Sequence, residues 1–336
     1  MSDGTIDASS LPVAPLQVGE PSSFFNNDWW SPRDWHKLTP DGFGVDIACE
    51  AGSIGELAIA GVSLRGHKHR VAGQPNEDSF AIRTTTTHQG EEFVVLVLCD
   101  GLSSASHSAY AARRTAALVA DLLRKIVVEE QFTYNQLEAS LGQCLKEFVA
   151  PHLTTWPAPT PEDLPAFGCP DVSPDAIAMK DLLVTLTIAL VPTRNGDKGA
   201  SEVFLATIGD SPAFILTSRG EWIKPSYSDT DDVVLTTATA AFPKTTDAAW
   251  TRVMLYEGDC LCLTSDGVGN FIKNNIDTLR LGAHFAKVWQ TPRDLSTLVR
   301  DVSFDLRSAD DDRTVILCWT NRAPIELSTT DELVTE

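Results

Sequence analysis

Apolar residues run with little interruption through LAIAGVSL (57–64), EFVVLVLCDG (92–101), DLLVTLTIALV (181–191), EVFLATIGD (202–210), PAFILTSRGEWIK (212–224), RVMLYEGDCLCLTSDG (252–267) and RTVILCWT (313–320). Short apolar runs bounded by Gly and Asp read as strands, and DSFAIRTT (78–85) joins them. Apolar positions at helical spacing, among them Ala111, Ala112, Leu118, Leu122 and Ile126, predict a long helix in SAYAARRTAALVADLLRKIVVEEQ. YNQLEASLGQCLKEFVAPHL reads as a second helix and LSTLVRDVSFDLRS (295–308) as a third. Strands, then helices, then more strands with hairpin turns such as SRGE predict an α+β fold, antiparallel sheet covered by helices rather than regular strand-helix alternation.

Polar and proline-rich breaks divide the rest. Residues 1–45 carry the aromatic cluster FFNNDWWSPRDW and are expected to pack those rings on the core, since exposed aromatic surface on that scale invites association. The sharper alternative is a docking segment for a protein partner. The segment TTWPAPTPEDLPAFGCPDVSP (154–174) reads as an exposed insertion, 226–250 as a mobile, flap-like loop region, and 323–336 as a C-terminal tail. The expected catalytic unit is therefore 46–322.

Composition excludes several classes. The 336 residues are 43% hydrophobic, enough for a sizeable core. No apolar stretch reaches the ~18 residues of a membrane span, and MSDGTIDASSLPVAP lacks the plan of a signal peptide. A soluble cytoplasmic protein with no membrane partner is expected. The seven cysteines are scattered, mostly within apolar runs, and predict buried free thiols; Cys260 and Cys262 are expected on one face of a strand. A net charge of −20 without a basic patch argues against nucleic acid. That charge also suits carboxylates converging on divalent cations, although acidic surfaces are commoner.

The acids recur at strand ends. Asp78 opens one strand; Asp100, Asp210 and Asp266 close others; Asp310, Asp311 and Asp312 precede the last. Each Asp-Gly alone is more often a turn. Their recurrence, mostly without nearby Lys or Arg, points to a polycarboxylate site for hard cations. No GxxxxGK[ST] or GxGxxG phosphate-binding motif is present, and no GxSxG nucleophile elbow.

GHKHRVAGQPNEDSF (66–80), VLVLCDG (95–101), DLLVTLT (181–187), ATIGDSPAFIL (206–216), LCLTSDG (261–267) and DDRTVI (311–316), in this order, resemble the metal-dependent type 2C Ser/Thr protein phosphatases, the PPM family, in its bacterial form. The resemblance covers roughly residues 55–320. It implies a four-layer α-β-β-α sandwich with two central antiparallel sheets, and hydrolysis of phosphoserine or phosphothreonine by a metal-bridging hydroxide. The implied cofactors are two Mn²⁺ or Mg²⁺ ions, with a third in some members, and the implied partner is a phosphorylated protein substrate, opposing a Ser/Thr kinase. Asp100 matches the bridging acid, with the Gly101 carbonyl on one ion. Asp266 and Asp311 match the remaining acids of one ion, Glu77 and Asp78 those of the second, and Asp181 that of a third. Asp210 matches a supporting position.

Three departures accompany it. Gly73 stands where the family places a phosphate-binding Arg, so Arg70 or His69 would have to serve. The loop after Asp100 is LSSASHS in place of a Gly-rich run, and DDRT replaces DNxT, leaving Asp310 and Asp312 beside Asp311 as candidates. His69 or His107 could protonate the leaving oxygen, His69 being favoured because it lies inside the motif. A binding module that keeps the fold and has lost phosphate binding is the second reading.

Overall fold

The computed structural model describes residues 46–129, 132–155, 178–194, 196, 199–227, 240–273, 281–306 and 309–320. The segments expected at 1–45 and 323–336, most of the 154–174 insertion, and 228–239 of the loop region lie outside the described residues.

Eleven strands form two antiparallel sheets among the described residues. One sheet orders β1 (Ile47–Ile54), β2 (Leu57–Leu64), β11 (Arg313–Trp319), β10 (Cys260–Thr264), β7 (Ala213–Leu216) and β8 (Trp222–Ile223). The other orders β3 (Asp78–Thr86), β4 (Glu92–Asp100), β5 (Leu186–Pro192), β6 (Ala200–Ile208) and β9 (Ala249–Tyr256). The helices are α1 (His67–Ala72), α2 (Ser108–Val128), α3 (Tyr134–Cys144), α4 (Ala150–Thr155), α5 (Asp266–Lys273), α6 (Leu281–Val288) and α7 (Leu295–Val302).

Side chains alternate across each strand, and in the central strands both faces are covered, which is why those strands are apolar at nearly every position. In β4, Phe93, Val95, Val97 and Cys99 pack under α2 and α3, while Val94, Leu96 and Leu98 face the other sheet. In β10, Cys260 and Cys262 share the face toward α6 and α7, as expected, and Leu261 and Leu263 face the inter-sheet core. The result is four layers, helices, sheet, sheet, helices, with three hydrophobic cores between them.

Four element predictions change. RVMLYEGDCLCLTSDG is two strands in different sheets, because the chain turns at Glu257–Asp259, where Gly258 has φ 87° and the Asp259 carboxylate accepts from Ser218 N (2.9 Å) and Tyr256 N (3.0 Å). The strand expected from 181 starts at Leu186, after a single 3₁₀ turn at Met179–Asp181. The helix expected over 295–308 stops at Val302, since Phe304 is drawn into the core beneath it. β1 was hidden from the apolar pattern because most of its side chains are exposed at a sheet edge. Six described cysteines are unpaired, four of them buried; Cys49 is exposed and Cys144 half-buried.

Candidate active site

Register assembles the acids. In the β3–β4 ladder Asp78 stands directly opposite Asp100, so the first residue of one strand meets the last of the other. In the second sheet β10 pairs with β11 from Thr264↔Val315 onward, and Ser265 N donates to Thr314 O (2.9 Å), which carries Asp266 and the Asp310–Asp312 turn to the same end. The two sheets meet there: Asp266 N donates to Asp100 Oδ2 (3.3 Å). The crossovers from β2 to β3 and from β6 to β7 pass over this end, bringing Glu77 on one and Asp210 and Ser211 on the other.

The Asp-Gly steps are close-approach points with ordinary backbone angles. A Cβ on Gly267 would lie 2.0 Å from Asp312 O, and one on Gly101 would lie 2.7 Å from both Glu77 O and Ser108 Cβ. Gly101 N also donates to Glu77 O (3.0 Å), tying the NED segment to the end of β4.

The carboxyls crowd one another. Burial pushes the Asp100 carboxyl well above the ordinary carboxylate range, the charges of Asp266, Asp311 and Asp210 add to it, and the Asp266 N–H partly opposes it. Asp78, 5% exposed, is driven up by burial and then by Asp100 and Asp312, while Ser265 and Thr314 hydroxyls favour its charged form. Its Oδ2 has no hydrogen-bond partner among the described residues. Glu77 is raised by burial, against the stabilising effects of His69 and Ser108.

Hydroxyls and amides hold this cluster in place. Asn76 Oδ1 accepts from Asp78 N (2.9 Å) and its Nδ2 donates to Ser63 Oγ (2.8 Å), which accepts from Thr314 Oγ1 (2.7 Å). Thr185 Oγ1 accepts from Asp100 N (3.3 Å) and shares a 2.6 Å hydrogen bond with Ser211 Oγ, which donates to Asp100 Oδ2 at 3.4 Å. The GDS serine therefore touches the central acid.

Asp312 was among the open candidates for a ligand, and its surroundings give it another task. Only 2% exposed, it accepts from Gly66 N at Oδ1 (2.5 Å) and from Glu77 N at Oδ2 (2.6 Å), and its Oδ2 lies 2.8 Å from His69 Nδ1. Both oxygens take part in organising the 66–77 segment, and an Asp312 oxygen also lies within 4.8 Å of ligand atoms of His69 and Asp311. Asp311 is exposed beside it and acts electrostatically on Asp100, Asp78's neighbour across the ladder.

His69, one of the two candidate phosphate-binding cations, reaches the acids. His69 Nε2 lies 3.6 Å from Glu77 Oε2. Burial disfavours the charged ring, but the hydrogen bond to Asp312 and the charges of Asp312, Glu77 and Asp311 outweigh it and raise its pKa. Arg70, predicted for the same role, donates from Nη2 to Arg65 O (3.2 Å), and its Nε lies 3.8 Å from Asp46. It follows His69 by one position on a helical turn, so the two side chains diverge.

Asp181 sits to one side, accepting from Ser106 Oγ (3.0 Å) and Ala178 N (3.3 Å). It faces His107, whose ring is buried at the start of α2 and whose pKa is lowered by burial against the pull of Asp181.

The profile of the family described as Protein phosphatase 2C matches residues 65–301. The chain belongs to the protein phosphatase 2C family. Members of this family are metal-dependent phosphatases acting on phosphoproteins. The fold is similar to that of the S. agalactiae serine/threonine phosphatase, at 16% identity over 78% of this chain and 99% of that one, TM-score 0.48. It is similar to serine/threonine phosphatase Stp1 from Staphylococcus aureus, at 17% identity over 80% and 96% of the two chains, TM-score 0.45. RsbX, solved in complex with magnesium, aligns at 13% identity over 81% and 98%, TM-score 0.44. No curated protein sequence matches the chain. No described helix is long and apolar enough to cross a membrane.

The donor set of this phosphatase 2C member fits divalent cations. Asp78 and Asp100 face each other with no Lys or Arg in ion-pair distance among the described residues, and Asp78 keeps one buried oxygen without a partner. Carboxylates so placed either take up protons or hold cations.

Proposed function

We propose that this protein is a metal-dependent Ser/Thr phosphoprotein phosphatase whose Asp100 lies between two cation positions. One would be held by Asp100, Asp266 and Asp311, the other by Asp100, Asp78, Glu77 and the Gly101 carbonyl, with Mn²⁺ or Mg²⁺ in both. Bound there, the ions supply an activated water at neutral pH and positive charge for the phosphoryl oxygens. The chain's own part is positional. Thr185 and Ser211 fix Asp100, Asn76 fixes Asp78, and Asp312 fixes Glu77 through its backbone. Asp181, with Ser106 and His107, offers a place for a third ion at the rim.

The observation that carries this reading is the meeting of Asp100 with acids from both sheets at one end of the sandwich. Phosphate release from p-nitrophenyl phosphate and a phosphothreonine peptide tests it, with Mn²⁺, Mg²⁺ or EDTA. Metal-dependent turnover should fall by about 100-fold or more in Asp100→Asn and Asp266→Asn. No turnover of wild type with any metal, at intact circular dichroism, would favour the second reading, a regulatory module on a phosphatase fold. Gly73 at the family's Arg position is what speaks for that alternative.

A further inference from the structure

An acid at 312, where the family pattern has another residue, and a histidine at 69, inside the first motif, are joined in space. Asp312 grips the Nδ1 edge of His69, and the opposite edge of the ring, Nε2, is turned to Glu77. We propose that His69 Nε2 is a nitrogen ligand to the divalent cation on the Glu77 side of the site, giving this protein a mixed oxygen–nitrogen centre that prefers Mn²⁺ and other transition metals to Mg²⁺. The inference rests on the phosphatase site proposed above and names its metal class.

Three observations support it. Histidines that bind metals usually give their other ring nitrogen to a carboxylate, which fixes the tautomer and the ring plane, and Asp312 does this at 2.8 Å. The ring is 2% exposed and cannot swing away without breaking that hydrogen bond. Glu77 Oε2, at 3.6 Å from Nε2, is near the ~3 Å that separates adjacent ligands around a cation with bonds of about 2.1 Å. Ligand atoms of His69, Asp311 and Asp312 all lie within 4.8 Å of one another. Asp312 serves two N–H groups and the ring, and so orients the histidine beside Glu77 and Asp311.

An imidazole nitrogen adds little affinity for Mg²⁺, which favours oxygen, and adds more for later divalent metals. The proposal therefore has a spectroscopic and a thermodynamic signature, neither of which needs substrate. Mn²⁺ bound to the full-length wild type should show ¹⁴N coupling from a directly bound nitrogen in pulsed EPR. His69→Gln should abolish it, and His67→Gln should keep it. Titration calorimetry should show Mn²⁺ affinity falling about 10-fold in His69→Gln with Mg²⁺ affinity nearly unchanged, and Asp312→Asn should weaken Mn²⁺ by about 10-fold or more through loss of ring orientation. No ¹⁴N coupling in wild type, no Mn²⁺ binding, or an equal loss for both metals in His69→Gln would overturn it. In those cases His69 would remain a candidate for the phosphate or leaving-oxygen roles. Coupling present without any hydrolysis would leave the nitrogen ligand standing and remove the phosphatase reading.

Discussion

Gly267 has no room for even a methyl group: its Cβ position falls 2.0 Å from the carbonyl oxygen of Asp312, a backbone atom that cannot rotate aside. Gly267→Ala is therefore expected to push the LTSDG turn and the DDDR turn apart, costing about 1–3 kcal/mol in a urea melt. Weakened Mn²⁺ binding should accompany it, because the same two turns carry Asp266 and Asp311. An unchanged melt would show that these turns do not pack as described. The Asp-Gly signal was visible in the sequence, and a turn residue was the commoner interpretation. Tertiary contact gives the glycine its reason, since the neighbour it must admit lies far along the chain. His69 was legible as a candidate because it falls within a motif. The role of Asp312 was not, because three adjacent aspartates differ only in what surrounds them.

Among the elements, α7 shows how much a short helix rests on its first residue. Asp294 caps it, accepting from Thr297 N at 2.9 Å, and the hydroxyls of Ser296 and Thr297 also donate to its carboxylate. These bonds, Ser296 first, hold its pKa down to about 2. Asp294→Ala is expected to destabilise by about 1 kcal/mol near neutral pH. A carboxylate with a depressed folded pKa contributes above its unfolded pKa of about 3.9, and the contribution fades as pH falls toward 2. The gap between wild type and variant in chemical denaturation should accordingly narrow below about pH 4. A gap independent of pH would mean that the carboxylate is not the cap. The sequence predicted this helix but extended it to 308, because a helical pattern does not announce where tertiary packing interrupts it. Phe304 sits under α7, where its ring stacks beneath the Arg313 guanidinium at 4.1 Å, and Arg313 Nη1 donates to Phe304 O at 2.6 Å. That arrangement turns the chain toward β11 and places the aspartates just before it.

At the scale of the whole molecule, the site sits where two sheets end together, and its clustered charge opposes folding until cations arrive. In metal-free protein, burial and mutual repulsion raise Asp78 and Asp100 above their unfolded values. Groups raised in this way stabilise the fold most at low pH, and that stability is lost as pH climbs through their folded pKa. Added Mn²⁺ should therefore raise the thermal midpoint of EDTA-treated protein more at pH 7.5 than at pH 5. Equal shifts at both pH values, or none, would count against a shared carboxylate site. The sequence by itself determined most of the central strands, the long α2 helix, the α+β class and the set of acids at strand ends, because apolar periodicity and Asp-Gly punctuation are local properties of the chain. Only the tertiary structure decided that RVMLYEGDCLCLT divides between two sheets, that the His69 ring meets Glu77, and that Asp312 holds the ring. Those outcomes depend on strand register and on contacts between residues as far apart as 69 and 312, and no local pattern encodes such pairings.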